Sequence, residues 1–113
     1  MTIHSNLPVY KASYDFLLDI FVFIKNFKRE YKYTIGEDLK KEMSWMMADI
    51  YRANNCQSKY QLLESAIEHL EVVRLYIRLM KDLKQISLDK FISLNEKIES
   101  VSVQLYAWQK SSN

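Results

Sequence analysis

Hydrophobic residues recur at spacings of three and four along most of the chain. The pattern covers four stretches, residues 8–31, 35–54, 59–84 and 88–110. This spacing places apolar side chains on one face of a helix, and the period-two alternation that predicts strands persists nowhere beyond a few residues. We therefore expect four amphipathic helices. Pro8 is suited to open the first, because its fixed φ matches a helical first turn.

Residues that cap helices stand at the breaks between these stretches. Thr34 followed by Glu37, and Ser58 followed by Gln61, match the capping box, in which the first side chain accepts a hydrogen bond from a backbone N–H of the first turn. Ser87 is placed to cap the last helix. The pattern therefore predicts helices that begin directly after these three polar residues.

The connections between the predicted helices are short. The chain has one Gly and one Pro among 113 residues, and such a shortage of turn formers favours long helices. Helices joined by short connections become antiparallel neighbours. The expected fold is all-α, a single domain over residues 1–113 that forms an antiparallel up-down-up-down four-helix bundle. Gly36, in the first turn of the second helix, weakens that helix, and we interpret it as a place where another backbone comes close.

Each predicted helix has a core face that can be traced residue by residue, and those of the first and third helices bear most on the surface. The expected core positions of the first helix are Tyr10, Ser13, Tyr14, Leu17, Ile20, Phe21, Ile24, Phe27 and Tyr31. Those of the third helix are centred on Leu70 and include Leu63, Ala66, Ile67, Val73 and Ile77. Both sets follow the helical period, so each helix should present one side to a shared core.

The third predicted helix is apolar on a second side as well. Val72, Leu75 and Leu79 fall roughly opposite Leu70 at 100° per residue. We call these three residues the apolar strip. An exposed apolar strip marks an interface more often than an accident, and identical subunits are the usual partners. The sequence therefore predicts a homo-oligomer that uses this strip.

The bundle topology gathers positive charge at one end, although the net charge of the chain is only +2. The first and third helices end there, and the second and fourth begin there. We call this end the basic pole, because bases outnumber acids in it. The candidate nucleic-acid contacts at or near it are Lys28, Arg29, Lys32, Arg74, Arg78, Lys81 and Lys84. Such a surface could hold a phosphate backbone, but lysines near helix C-termini also simply oppose the helix dipole.

The two arginines of the third helix have different expected roles. Arg74 lies near the edge of the core face, where Glu71 or Glu42 could pair with it, or it could point along a subunit interface. Arg78 lies closer to the basic pole and is the better candidate for a ligand contact.

The sequence contains no recognisable catalytic or cofactor-binding motif. His4 and His69 are isolated and lack the partners of a metal site, and one Gly cannot form a phosphate-cradling loop. We expect no enzyme activity, no metal or other cofactor and no small-molecule substrate.

The chain also lacks the marks of export or membrane insertion. Its most apolar run, residues 16–24, is about half the length that spans a bilayer, and no signal peptide is recognisable. The lone Cys56 excludes an internal disulfide and fits a reducing compartment. The expected location is the cytoplasm, and Cys56 is expected to be a partly buried residue near a helix end rather than a reactive thiol.

Several of these segments, in this order and spacing, resemble the accessory variability determinant (Avd) proteins of diversity-generating retroelements. The most specific are Tyr33-Thr34-Ile35-Gly36 before the second helix, Arg74-Leu75-x-x-Arg78-Leu79, and Trp108-x-Lys110. The four-helix proteins encoded in intervening sequences of bacterial large-subunit ribosomal RNA genes form a related branch. That branch has a Ser-Ile-Pro-Ser-Asn-like stretch in the second helix, where this chain has residues 45–50 of another character, so the resemblance favours Avd.

The resemblance implies a ring-like homopentamer with a basic surface that binds a reverse transcriptase and its template RNA. Carried over by position, Arg74 and Arg78 would be the basic residues of the third helix in that role. Two alternatives remain open from the sequence, a purely structural oligomeric adaptor and a bundle protein of the intervening-sequence type.

Overall fold

Helices account for most of residues 7–112, the part of the chain that the computed structural model describes. They are α1 (Pro8–Ile24), α2 (Arg29–Lys32), α3 (Ile35–Asn54), α4 (Tyr60–Asp82) and α5 (Leu88–Ser111), with no strand in this range. Pro8 occupies the first turn of α1, as predicted. His4 lies outside the described residues.

The four long helices form the predicted antiparallel up-down-up-down bundle. Helix α4 packs against both α3 and α5, and α1 packs against the same two helices. The helices therefore stand at the corners of a square in the order α1, α3, α4, α5. One consequence matters for the surface: the groove between α1 and α3 lies on the opposite side of the bundle from the groove between α4 and α5.

The predicted helix over residues 8–31 is wrong in its second part, because α1 ends at Ile24. Three backbone bonds to the carbonyl three residues earlier turn the chain there, among them Asn26 to Phe23 and Phe27 to Ile24, both 3.0 Å. The turn buries the Phe27 side chain in the core. Burial of this large ring outweighs the helical pattern of the segment, and α2 continues as one separate helical turn.

The core confirms the predicted face of α4 and corrects that of α1. The α4 positions named from the sequence are all buried, with Leu70 among the fully buried ones. In α1, Phe16 is fully buried, whereas Tyr14 and Phe21 are exposed. The stripe of α1 is therefore rotated toward Phe16, and Phe21 is left on the surface.

Gly36 allows the close approach that the sequence predicts. A Cβ at this position would lie 3.3 Å from the carbonyl oxygen of Tyr31 and 2.9 Å from Cγ2 of Ile24. Both neighbours precede α3, so the glycine lets α2 and the end of α1 pack onto the first turn of α3.

One of the three predicted caps forms. The Ser87 hydroxyl accepts a hydrogen bond from the backbone N–H of Lys90 at 3.1 Å. The Thr34 hydroxyl instead donates to the carbonyl of Glu30 at 2.7 Å, where it satisfies α2 rather than α3. The Ser58 prediction is wrong as well, because the residue before α4 is Lys59, which makes no side-chain cap bond.

Helix α4 ends in a Schellman motif at the basic pole. The backbone N–H of Gln85 binds the carbonyl of Met80, and that of Lys84 binds the carbonyl of Lys81, both at 2.9 Å. Lys84 has a φ of 62°, in the left-handed region that glycine usually fills at this position. The motif reverses the chain sharply and leaves the Lys84 side chain exposed.

Cys56 lies in the connection between α3 and α4. The sequence predicted partial burial, but the thiol is exposed, because α3 ends at Asn54 and the connection runs over the surface.

Candidate nucleic-acid interface

Two connections meet at the basic pole, the one between α1 and α2 and the one between α4 and α5. The side-chain oxygen of Gln85 accepts a hydrogen bond from the backbone N–H of Lys28 at 3.2 Å. The side-chain nitrogen of the same residue donates to the carbonyl of Leu83, also at 3.2 Å. Gln85 thus ties together two connections that adjoin α2 and the end of α4, where most of the candidate cations lie.

The first group of these cations lies around α2. Lys28 and Arg29 are exposed and Lys32 is half-buried. The guanidinium carbon of Arg29 lies 5.8 Å from the centre of the exposed Tyr33 ring. A cation beside an exposed aromatic ring can serve both phosphates and unpaired bases.

The second group lies at the end of α4. Arg78 is 68% exposed, and its Nε lies 3.7 Å from Asp82. Lys81 lies 3.6 Å from the same carboxylate, and its ammonium is 4.9 Å from the centre of the Phe91 ring. One carboxylate therefore faces two cations, and with Lys84 beside them the group keeps an excess of positive charge.

Arg74 stands apart from both groups because two carboxylates surround it. Its Nε donates to Glu71 at 3.1 Å, and its Nη1 donates to Glu99 on α5. Burial works against the charged form, but the bonds to Glu99 and Glu71 outweigh burial and raise the pKa of the guanidinium above its ordinary value. The geometry favours the structural pairing, with Glu71 as one of the partners named from the sequence, while Glu42 binds His69 instead.

Asp19, the charged residue within the apolar run 16–24, joins α1 to α5. Its carboxylate accepts hydrogen bonds from Lys90 at 3.1 Å and from Lys97 at 2.7 Å. Burial raises the pKa of this carboxyl, but the two lysines outweigh burial and hold the pKa below its ordinary value. Lys90 is therefore occupied within the bundle, although it lies at the basic pole.

The apolar strip is only partly at the surface. Leu75 is 63% and Leu79 is 37% exposed, whereas Val72 is half-buried. Leu75 also lines a surface cavity of about 380 Å³ between α4 and α5, together with Arg74, Arg78 and Phe91. Two of the three strip residues thus remain available to a partner.

His69 is held between two acidic residues of α3. Its Nδ1 lies 2.7 Å from Glu42, and its Nε2 lies 3.7 Å from Asp49. Over residues 7–112 no group of three or more His, Cys, Asp or Glu side chains is arranged to hold a metal ion. No helix in the same range has the length and hydrophobicity to cross a membrane.

The fold and the clustered cations define the class, a small all-helical four-helix-bundle protein with one basic end. The sequence model described as bAvd-like matches residues 8–112, and the chain belongs to that family. It is therefore an Avd-like accessory protein, as the resemblance of its segments indicated. No curated protein matches the chain significantly.

Proposed function

We propose that this protein is a non-enzymatic accessory subunit that binds template RNA and a reverse transcriptase during mutagenic reverse transcription in the cytoplasm. The observation that carries the proposal is the junction of two cationic loops at one end of an Avd-like bundle. Lys28, Arg29 and Lys32 lie on one side of the Gln85 hydrogen bond, and Arg78, Lys81 and Lys84 lie on the other.

The arrangement supports RNA as the ligand for an electrostatic reason. Each phosphate that a Lys or Arg neutralises releases a counterion, so affinity depends on the number of cations that reach one backbone. A net charge of +2 spread evenly would bind weakly, but the same charge concentrated at one end acts on a single stretch of RNA. Arg74 contributes least, since Glu71 and Glu99 already balance it.

Oligomerisation through Leu75 and Leu79 is the second part of the proposal. A ring of identical subunits, which the Avd resemblance implies to be a homopentamer, would cover these exposed side chains. It would also repeat the basic pole around the ring, so that one RNA could contact several subunits.

The test is RNA affinity measured as a function of salt by fluorescence anisotropy. For the wild type, the logarithm of the association constant should fall linearly with the logarithm of the salt concentration. Replacement of Arg78 and Lys81 by Glu should weaken binding and make that slope shallower by roughly 0.7 for each lost phosphate contact. Affinity independent of salt, or unchanged by the double substitution, would refute RNA binding through this surface.

A matched control has the same change in charge at the opposite end of the bundle. Lys11 and Lys110 are both exposed, and they lie at the start of α1 and the end of α5. Their replacement by Glu should leave RNA affinity nearly unchanged. Co-purification of wild type and both variants with the reverse transcriptase after nuclease treatment then shows whether protein binding needs RNA.

A purely structural adaptor is the alternative that the exposed Leu75 and Leu79 favour. It predicts an oligomer and a protein partner without RNA affinity. Light scattering tests the oligomer that the two hypotheses share, because a monomer would contradict both the adaptor and the proposed ring.

A further inference from the structure

A second surface cavity lies on the other side of the bundle, between the end of α1 and the start of α3. Its volume is about 340 Å³, close to the lower limit for pockets that hold small molecules. We call it the lysine pocket after the residues that line it: Phe21, Val22, Ile24, Lys25, Lys32 and Lys40. Apart from Lys32, none of these belongs to the candidate set predicted from the sequence.

The floor of the lysine pocket is apolar and accessible. Phe21 is 37% and Val22 is 59% exposed. Ile24 beneath them belongs to the core. The floor therefore offers exposed aromatic and aliphatic surface.

The rim of the pocket carries three ammonium groups. Lys25 and Lys32 have no ion-pair partner within residues 7–112, and Lys40 lies 3.5 Å from Glu37. The Lys40 ammonium also lies 5.4 Å from the centre of the Phe21 ring. Two of the three ammonium groups are therefore unpaired within residues 7–112, and the third lies beside an aromatic ring.

We propose that the lysine pocket receives one unpaired nucleotide of a single-stranded RNA, with its base against Phe21 and the adjoining phosphates on Lys25 and Lys32. The inference rests on the proposed function, because it places a contact of the same RNA next to the cations of α2. An apolar floor alone would suit a lipid or a peptide, but three ammonium groups favour an anion that also has an aromatic part.

The state of the base follows from the shape of the pocket. Stacked and paired bases of an A-form duplex do not present a free ring face, whereas an unpaired base does. The small volume suits a single nucleotide rather than a longer segment. The lysine pocket should therefore discriminate single-stranded from double-stranded RNA, which the cations of the basic pole alone would not.

The test compares Phe21→Leu with wild type on a single-stranded RNA and on a duplex of the same sequence. The leucine keeps an apolar side chain and removes the ring. Loss of one base–aromatic stack should weaken single-strand binding by about 5- to 150-fold and leave duplex binding unchanged. Tyr14→Leu is the matched control, since Tyr14 is an exposed aromatic residue of α1 outside the pocket.

A second measurement does not depend on the stability of the variants. Single-stranded RNA that contains 4-thiouridine is cross-linked to the wild-type protein, and the linked peptide is located by mass spectrometry. Cross-links at residues 21–25 or at Lys40, which lies beside Phe21, support the inference. Cross-links confined to other segments, or equal single-strand affinity for Phe21→Leu and wild type, overturn it.

The outcomes separate this inference from the proposed function. If the wild type binds RNA through the basic pole while Phe21→Leu changes nothing, the pocket assignment fails and the proposed function stands. If the wild type binds no RNA, both fail. Free adenosine monophosphate that binds as tightly as the oligonucleotide would show a site for free nucleotides and overturn the assignment to a strand.

Discussion

Gln85 holds the backbone of Lys28 by a hydrogen bond of 3.2 Å between residues that are 57 positions apart in the sequence. The bond crosses from the α4–α5 connection to the α1–α2 connection. Gln85→Ala should lower the free energy of unfolding by about 0.5–1.5 kcal/mol, the usual contribution of one such bond. Urea denaturation followed by circular dichroism measures it, and Gln104→Ala, a change within one helix turn of α5, is the control.

Lys84 offers a change that lowers charge and raises stability together. Its left-handed φ costs about 1–2 kcal/mol for a residue with a Cβ, and glycine would remove this cost. Glycine also loses more backbone entropy on folding, which offsets about 0.5–1 kcal/mol of the gain. Lys84→Gly should therefore stabilise the protein by about 0.5–1 kcal/mol while it weakens RNA binding. Lys84→Ala removes the same charge without relief of the backbone. Equal stability of the two variants would contradict the argument.

Gly36→Ala should destabilise the protein although alanine is the better helix former. The new methyl group would lie 2.9 Å from a methyl of the buried Ile24 and 3.3 Å from a backbone carbonyl, neither of which moves easily. Overpacking of this kind costs about 1–3 kcal/mol, of which helix propensity recovers about 1 kcal/mol at most. Thermal unfolding should show a lower midpoint. In the Gly36→Ala variant, a second change of Ile24→Val should not restore stability, because valine keeps that methyl group. Ile24→Ala in the same variant removes the methyl group and should relieve part of the clash.

Asp19 should make stability depend on pH in the acid range. Its pKa is lower in the folded protein than in the unfolded chain. The contribution of Asp19 to the free energy of unfolding is therefore complete above the ordinary carboxyl pKa of about 4, and it is lost as pH falls through the lower pKa of the folded protein. Asp19→Asn should cost about 1 kcal/mol at pH 7. The difference from wild type should shrink toward zero in acid. Asp15→Asn, which removes only an exposed pair with Lys11, should show little of this behaviour.

Arg74 and Arg78 should separate stability from binding. Arg74→Leu breaks the link between α4 and Glu99 and should cost about 0.5–1 kcal/mol, a modest amount because these groups are partly exposed. RNA affinity should stay within about twofold at equal folded fraction. Arg78→Leu should do the reverse, with lower RNA affinity and nearly unchanged stability. A larger loss of affinity for Arg74→Leu would restore Arg74 as a ligand contact.

The bundle itself could be predicted from the sequence because its helices are long, periodic and joined by short connections. The end of α1 could not, since no Gly or Pro marks Ile24, and the break depends on the burial of Phe27, a tertiary effect. The rotation of the α1 core face toward Phe16 leaves Phe21 at the surface. The sequence therefore did not indicate the lysine pocket, because Phe21 was expected in the core. Ser87 caps α5 as its local sequence predicts. Thr34 instead donates its hydroxyl to a carbonyl of α2, and the capping pattern cannot indicate this because it describes only the helix that follows.

For the candidate site, the sequence could predict only which cations the order of the helices brings to the basic pole. Lys28 and Lys84 lie close together because the α1–α2 and α4–α5 connections are at the same end of an up-down bundle. The pairing of Arg74 with Glu99 and of Lys90 with Asp19 depends on which faces of α1, α4 and α5 meet. These long-range pairings remove cations from the surface that a count along the sequence includes.

The bonds of Asp19 to Lys90 and Lys97 span 71 and 78 residues, and they join the first long helix to the last. Such contacts close a very large loop, whereas the α3–α4 hairpin can form from neighbouring segments. We therefore expect the α1–α5 contact to form after the main folding barrier. Disruption of Asp19 should then accelerate unfolding while it leaves the folding rate almost unchanged.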